Sequence, residues 1–198
     1  MNTKGERTRQ AILDAAQNLF LDQGYTATSI RQIARAVGIT PPAIYNHFAG
    51  KEEIFTTLLE QTAPFEQLFQ LFGETTAGTP QAFLQQILRG FVELLLSHEN
   101  YIRLSLIDAQ ERDGATIVTL VPRLFPHFMG FYRRLVALDA DRGNLRDIPP
   151  PIFMRTAISL IAGYLITEYV ARPVETLNLP DMDWVQGLTD IFMHGVLR

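Results

Sequence analysis

Three consecutive polar side chains, Tyr45, Asn46 and His47, follow a short segment with an apolar pattern near the N-terminus. Hydroxyl, carboxamide and imidazole groups can donate hydrogen bonds to phosphate oxygens, and a carboxamide can also pair with a base edge. Arg31 and Lys51 lie on either side of this trio in the sequence and add positive charge. These residue types and their spacing favour contact with a nucleic acid.

The segment that carries these side chains, residues 29–48, has the spacing of two short helices joined by a turn. Ala34 is small enough to lie where the helices cross, and Gly38 suits the tight turn. The apolar positions that would lock the pair together are Ile33, Val37, Ile39 and Ile44. Such a helix-turn-helix would present the outer face of its second helix, residues 40–48, to a DNA major groove.

Capping signals agree with this interpretation. Either Thr28 or Ser29 can cap the first of the two helices, and Thr40 can cap the second. Pro41 fits the first turn of the second helix, because no N–H partner is needed there. The candidate DNA-contacting residues are Thr28, Ser29, Arg31, Thr40, Pro41, Pro42, Ala43, Tyr45, Asn46, His47 and Lys51.

The composition limits the class of protein. The chain has 198 residues and no cysteine, which excludes disulfides and cysteine nucleophiles and fits a cytoplasmic location. The N-terminus is polar, so we expect no signal peptide, and the longest apolar stretch is about half a bilayer span. The net charge is −4, yet residues 1–51 carry six basic and three acidic side chains. A basic head on an acidic body is typical of a protein that touches phosphate with one end.

Apolar residues recur every three or four positions, so we expect an all-α fold of about nine helices. We expect two domains, a DNA-binding head at 1–50 and a helical body at 51–198. Besides the helix-turn-helix, the predicted helices cover residues 8–22 (ended by Gly24), 51–72 (bent at Pro64), 80–97, 100–111, 116–138, 152–171 and 181–197.

Two prolines, Pro122 and Pro126, interrupt the apolar pattern of residues 116–138. Proline inside a helix removes a backbone donor and costs about 3 kcal/mol. Two interpretations stay open at this point. The helix begins later, near one of the prolines, or it is kinked and the kink opens a pocket.

Residues 7–55 resemble the TetR/AcrR family of regulators. The resemblance rests on the Ala-x-x-x-Gly turn, the Ile-Tyr-x-His-Phe ending and the Gly-Lys-Glu-Glu that follows. It implies that Tyr45 and His47 contact phosphates and that Lys51 anchors the DNA backbone. Residues 41–43 would then lie nearest the bases together with Asn46. Because residues 41–43 carry no side-chain donor, base recognition would depend on Asn46, Arg31, van der Waals contact and DNA shape.

The resemblance also implies a homodimer that pairs through its last two helices. Residues 157–166 are nearly apolar all round, which fits burial on more than one side. The alternative is that both helices serve only the core of one chain. The candidate interface residues are Ile158, Ile161, Leu165, Trp184, Leu188, Ile191 and Phe192.

A small-molecule pocket in the body is implied as well. Polar side chains beside apolar faces are its best markers, because buried polar groups need partners. For the aromatic residues the alternative is a plain core, and the body could also bind a protein instead of a ligand. The candidate ligand-binding residues are Phe69, Tyr101, Arg103, Asp108, His127, Phe128, Phe131, Arg155, Tyr164 and Glu168.

The function implied is a ligand-responsive repressor, released from a palindromic operator when a small apolar or amphipathic molecule binds the body. The expected partners are duplex DNA, a second copy of the chain and this effector. An enzyme is the alternative from another class. It is disfavoured because the sequence contains no nucleophile elbow, phosphate loop or metal-ligand spacing. We expect no cofactor, metal or membrane.

Overall fold

The computed structural model describes residues 3–139, 145–167 and 183–196. Every regular element in these ranges is a helix, which confirms the all-α fold class. The helices are α1 (Lys4–Ala27), α2 (Ile30–Val37), α3 (Pro41–Ile44), α4 (Lys51–Thr62), α5 (Phe65–Glu74), α6 (Pro80–Leu96), α7 (Glu99–Glu111), α8 (Ala115–Leu138), α9 (Pro150–Ile166) and α10 (Trp184–Val196). Each helix in the described part of the chain is too short or too polar to cross a bilayer.

The chain divides into two compact units. Unit 1 comprises Met1–Ala63 and His98–Val121, and unit 2 comprises Pro64–Ser97 and Pro122–Arg198. Unit 1 therefore contains α1 to α4, α7 and the start of α8. The functional boundary expected between residues 50 and 51 stays a prediction, because these units are defined by packing and not by function.

Helix α1 begins at Lys4 rather than at the predicted residue 8, because a capping box extends it. The Thr3 hydroxyl accepts a hydrogen bond from the Glu6 N–H at 3.2 Å, and the Glu6 carboxylate accepts one from the Thr3 N–H at 2.6 Å. At the other end Gly24 leaves the helical conformation, with φ +86° and ψ 170°. Gly24 was predicted to end the helix, but it only interrupts it, because residues 25–27 form a further turn beyond the break.

Helices α4 and α5 replace the single helix predicted over residues 51–72. Pro64 lies between them with φ −82° and ψ 47°, outside the helical region. Proline also disfavours a helical conformation in the residue before it, and Ala63 is extended with ψ 129°. The predicted bend is therefore a break, which accounts for the tenth helix.

Helix α8 continues through both Pro122 and Pro126. The interpretation in which the helix begins at one of these prolines is therefore wrong. Each proline removes one donor, so the carbonyl groups of Val118 and Pro122 lose their helical partners. Both residues are exposed, which allows water to hydrate these carbonyls. The kink that would open a pocket stays a prediction.

Aromatic rings from α1 and α4 form the centre of unit 1. Phe20 and Phe55 meet edge to face with centroids 5.2 Å apart, and Tyr25 packs against both rings. Helix α7 contributes Leu104, which is fully buried in the same core. Helix α7 is thus part of the framework that holds the N-terminal helices.

Phe131 of α8 lies at the centre of the aromatic core in unit 2. Its ring stacks on Phe72 and Phe83, with centroids 5.6 and 5.5 Å away. Phe153 connects this cluster to α10 through an edge contact with Phe192 at 5.3 Å. Such ring pairs contribute about 0.5–1.5 kcal/mol each beyond the area they bury.

Arg134 of α8 holds the C-terminal end of α5. Its guanidinium donates to the carbonyl oxygens of Phe72 and Gly73, each at 2.7 Å, and to that of Thr75. Carbonyl groups in the last turn of a helix have no partner within the helix. Arg134 supplies the missing donors at the place where α5 ends.

The corner between α7 and α8 is built on Asp108, whose side chain is fully buried. Its carboxylate accepts hydrogen bonds from the N–H groups of Thr116 at 3.1 Å and Ile117 at 3.0 Å. It also pairs with Arg112 at 2.9 Å. The expectation that Asp108 lines a ligand site is corrected, because the carboxylate caps the start of α8 from inside unit 1.

We expect Asp108→Ala to lower the free energy of unfolding by about 3 kcal/mol. The change leaves the Arg112 charge and two backbone N–H groups without their acceptor. Urea denaturation followed by circular dichroism measures the difference. Asp22 is exposed on α1, so Asp22→Ala is the matched control and should stay within about 0.5 kcal/mol of the wild type. Equal stability of the two variants would contradict the capping role.

Candidate nucleic-acid interface

Local signals set both ends of α2. At its start the Ser29 hydroxyl accepts from the Gln32 N–H at 3.3 Å, and the Gln32 side-chain oxygen accepts from the Ser29 N–H at 2.8 Å. At its end Gly38 takes a left-handed conformation with φ +76°, and its N–H bonds to the Ala34 and Arg35 carbonyls. The predicted cap at Ser29 and the predicted turn at Gly38 are confirmed.

The crossing of α2 and α3 depends on a small residue and a buried apolar lock, as predicted. Ala34 is 1% exposed, and Ile33 and Ile44 are fully buried in the core of unit 1. Phe48 is buried beside them, and the Ile39 N–H bonds back to the Ala34 carbonyl at 3.0 Å. The two short helices therefore share one buried core with α1.

Helix α3 is shorter than the predicted recognition helix of residues 40–48. Only four residues are helical, and the N–H groups of Tyr45, Asn46 and His47 then bond three residues back, to the carbonyls of residues 42, 43 and 44. Thr40 stands at the start of the helix but makes no side-chain cap. We call residues 40–48 the recognition segment. Its second half is therefore wound more tightly than an α-helix.

The recognition segment and the start of α2 together form an open concave surface. It is lined by Ser29, Ile30, Arg31, Pro41, Pro42 and Tyr45. Tyr45 is 58% exposed, and Arg31, Thr40 and Asn46 are exposed as well. Ala43 and His47 are half-buried. The structure thus brings five of the predicted DNA-contacting residues to one concavity, with a tyrosine hydroxyl and a guanidinium on its wall.

Thr28 differs from the expectation. Its side chain is 1% exposed, and its hydroxyl donates to the Gly24 carbonyl at 2.7 Å while accepting from the Gln23 amide at 3.1 Å. The hydroxyl is therefore not presented to solvent. A direct DNA contact by this side chain is corrected to a role in closing the α1–α2 corner.

Lys51 is bound within unit 1. Its ammonium group donates to the carbonyl oxygens of Tyr25 at 2.7 Å and Thr28 at 2.8 Å, and lies 4.1 Å from the centre of the Tyr25 ring. Burial lowers the pKa of Lys51 below its usual value, although the nearby Glu111 charge acts in the opposite direction. The predicted anchor for DNA therefore holds the end of α1, and its contact with the DNA backbone stays a prediction.

Arg9 is a candidate DNA-contacting residue that the sequence pattern did not indicate. Its guanidinium lies 4.4 Å from the centre of the Phe48 ring, at the end of the recognition segment. The stacking places a positive charge from α1 beside the last residue of this segment. The only signal in the sequence was a basic side chain on the polar face of α1, which does not indicate a tertiary partner.

The predicted ligand-binding residues are divided between the two units. Tyr101 and Arg103 lie in unit 1 with Asp108. Burial raises the pKa of Tyr101, and its ring packs against the unit 1 core. Arg103 is exposed and donates to the Leu21 carbonyl at 3.0 Å. Asp108 is therefore an internal cap, whereas ligand binding by Tyr101 and Arg103 stays a prediction.

The remaining predicted ligand-binding residues belong to unit 2. Phe128 and Phe131 are buried in its aromatic core, while His127 is exposed and stacks on Phe69 with centroids 3.7 Å apart. Arg155 is exposed. Tyr164 lines a cavity of about 10 Å³ formed by α6, α9 and α10. Glu168 lies outside the described residues.

The predicted dimer residues on α9 and α10 divide into two groups. Those buried within unit 2 are Ile161, Leu165 and Phe192, with Leu188 half-buried. Those exposed are Ile158, Trp184 and Ile191. Ile166, two turns beyond Ile158 on the same face of α9, is exposed too. The near-continuous apolar character of α9 thus serves two surfaces.

The helix-turn-helix geometry agrees with the comparison to known proteins. The model of the bacterial regulatory proteins of the TetR family matches residues 12–58. A solved structure, NalD of Pseudomonas aeruginosa, the secondary repressor of the MexAB-OprM multidrug efflux pump, is 32% identical with a TM-score of 0.66. The alignment covers 98% of this chain and 97% of NalD. The chain belongs to the TetR family.

Two relatives from the TetR family match different lengths of this chain. AcrR of Shigella flexneri is 35% identical over 97 residues, and the match spans less than half of AcrR, 45% of its length. UidR of Escherichia coli (strain K12) is 28% identical over 189 residues, which cover 95% of this chain and 92% of UidR. Both are HTH-type transcriptional regulators. TetR-family members are transcriptional regulators and not enzymes.

We expect Lys51→Met to lower the free energy of unfolding by about 1–2 kcal/mol. Methionine keeps most of the aliphatic chain, but the carbonyls of Tyr25 and Thr28 lose a charged donor. Lys4 is exposed at the start of α1, so Lys4→Met is the control for loss of one positive charge. Thermal denaturation of both variants measures the effect. If Lys51→Met melts at the control temperature, the intramolecular role is excluded.

Proposed function

We propose that this protein is a transcriptional repressor that binds a palindromic operator as a homodimer and is released by a small apolar or amphipathic effector. One observation carries the DNA-binding part. The capped α2, the left-handed turn at Gly38 and the recognition segment place Arg31 and Tyr45 on one open concave surface. The likeness to NalD, a repressor, supports the direction of the regulation.

The recognition surface suits phosphate contact better than base recognition. Arg31 and the Tyr45 hydroxyl can donate to phosphate oxygens, while Pro41 and Pro42 carry neither a side-chain donor nor a backbone N–H. Asn46 is exposed next to them and can pair with a base edge. Sequence preference would therefore depend on Asn46 and on DNA shape, and affinity on the charged groups.

One recognition segment of this length reads few base pairs, which is the physical reason for pairing. Two copies related by a twofold axis would place their segments about 34 Å apart, one turn of DNA, on a near-palindrome. The exposed apolar side chains of α9 and α10, Ile158, Ile166, Trp184 and Ile191, supply the surface for this pairing. Large apolar side chains that are left exposed favour burial against another chain.

Arg31→Ala should weaken operator binding by about tenfold. It should also reduce the slope of log affinity against log salt concentration by about one, because one phosphate contact is lost. Tyr45→Phe should weaken it by less, because only one hydroxyl is lost. The probe is a set of duplexes that the wild type selects from a random-sequence pool, titrated by fluorescence anisotropy at several salt concentrations.

Arg133 is exposed on α8 in unit 2, so Arg133→Ala is the matched control for loss of an arginine and should bind as the wild type does. A wild-type protein that selects no duplex would overturn DNA binding. Equal affinities for Arg31→Ala and the control would show that the concave surface does not contact DNA.

We expect the double variant Ile158→Glu with Ile191→Glu to be monomeric at concentrations where the wild type is a dimer. Two charges on each copy would have to be buried without partners in the paired α9–α10 faces. Val136 is a comparably exposed apolar residue on α8, so Val136→Glu is the control and should stay dimeric. Sedimentation velocity measures the masses, and a dimeric double variant would contradict pairing through these faces.

We propose that the effector binds in unit 2. Its aromatic core and the small cavity beside Tyr164 are apolar, which suits an apolar molecule. A cavity of about 10 Å³ holds about one water, so α6, α9 and α10 would have to rearrange for a larger guest. An effector would be identified as a compound that raises the melting temperature and also releases the selected duplex.

A further inference from the structure

The break in α1 at Gly24 creates a short turn directly before the DNA-binding segment. Residues 25–27 follow the break, Thr28 closes the turn, and Ser29 is already the cap of α2. A break in a helix leaves N–H groups on one side and carbonyl groups on the other without intrahelical partners. The orientation of α2 therefore depends on what satisfies this turn.

Glu111, the last residue of α7, supplies the acceptor. Its carboxylate accepts a hydrogen bond from the Thr26 N–H at 2.6 Å. This bond lowers the pKa of Glu111 below its usual value, and the positive charge of Lys51 acts in the same direction. An acidic side chain at the C-terminal end of its own helix is electrostatically unfavourable. The contact with the α1 turn offsets that cost.

Gly24 and Glu111 fit each other sterically. A Cβ atom at position 24 would lie 2.5 Å from a Glu111 carboxylate oxygen, well inside van der Waals contact. The φ of +86° at Gly24 also excludes most other residues. The absence of a side chain at position 24 therefore makes room for the carboxylate as well as permitting the backbone conformation.

Lys51 satisfies the opposite end of the same turn. Its ammonium group donates to the carbonyls of Tyr25 and Thr28, while Glu111 holds the Thr26 N–H. The turn is thus held between an acidic group on its N–H side and a basic group on its carbonyl side. This arrangement has the polarity that stabilises a helical turn.

We propose that Glu111 is a positioning residue for DNA binding, which fixes the α1–α2 corner and hence the direction in which α2 presents Arg31. This inference rests on the proposed DNA-binding function. Glu111 lies outside the helix-turn-helix in the sequence and needs no contact with DNA in this role. Its effect passes through Thr26 and Thr28 to the cap at Ser29.

Removal of Glu111 should change the DNA affinity in opposite directions, depending on whether Glu111 acts through its charge or by positioning the corner. If the carboxylate acted only through its charge, its loss would raise DNA affinity, because a negative group near a phosphate surface is repelled. If it positions the corner, Glu111→Ala should weaken binding to the selected duplexes by roughly five- to thirtyfold. Glu111→Gln keeps an acceptor oxygen and should restore part of the affinity.

The matched control is Asp22→Asn, which removes an exposed negative charge from α1 just before the same corner. It should bind DNA at least as tightly as the wild type. Amide hydrogen exchange in the DNA-free proteins provides the second measurement. Exchange at Thr26 should become faster in Glu111→Ala, while the core amides of Ile12 and Phe20 stay protected as in the wild type.

Three outcomes separate the possibilities. Weaker binding by Glu111→Ala with selective exposure of the Thr26 amide supports the proposal. Binding as tight as that of Asp22→Asn, or loss of protection throughout unit 1 in both Glu111 variants, overturns it while DNA binding by the wild type stands. Failure of the wild type to bind any selected duplex overturns the proposed function, and the role of Glu111 with it.

Discussion

Backbone groups at helix ends must find hydrogen-bond partners, and this requirement shapes both units. Three ends are satisfied by side chains that come from other helices. Glu111 and Lys51 hold the turn that ends α1, and Arg134 holds the carbonyls that end α5. Asp108 caps α8 from across the α7–α8 corner. Each of these contacts fixes where one helix stops relative to another, and the first lies directly before α2 and its cap at Ser29.

Sequence reasoning succeeded where the signals are local. The Ser29 cap, the turn at Gly38 and the small residue Ala34 each follow from residue type and near neighbours, and the structure has all three. The predicted length of α3 was wrong. Beyond Ile44 the backbone N–H groups bond three residues back instead of four, and no residue type in the segment indicates that change.

The roles of the polar residues in the body were not predictable from their pattern. Arg103 and Asp108 stand beside apolar faces, which fits both a ligand pocket and an internal cap. Tertiary partners decide between the two, and a sequence does not show which helix end lies opposite a given side chain. The same limit hid Arg9 and Glu111. Helix α9 is apolar all round, so its sequence does not show which residues face inward. In the structure Ile161 is buried and Ile158 is exposed.

The contact between α7 and the end of α1 has a consequence for engineering chimaeric regulators. A head transplanted as residues 1–50 alone would leave Lys51 and Glu111 behind, together with the Leu104 side chain that completes its core. The recipient body would have to provide a carboxylate at the matching helix end and a lysine at the start of its fourth helix. All three of these residues belong to unit 1, which consists of two stretches of chain that are separate in the sequence.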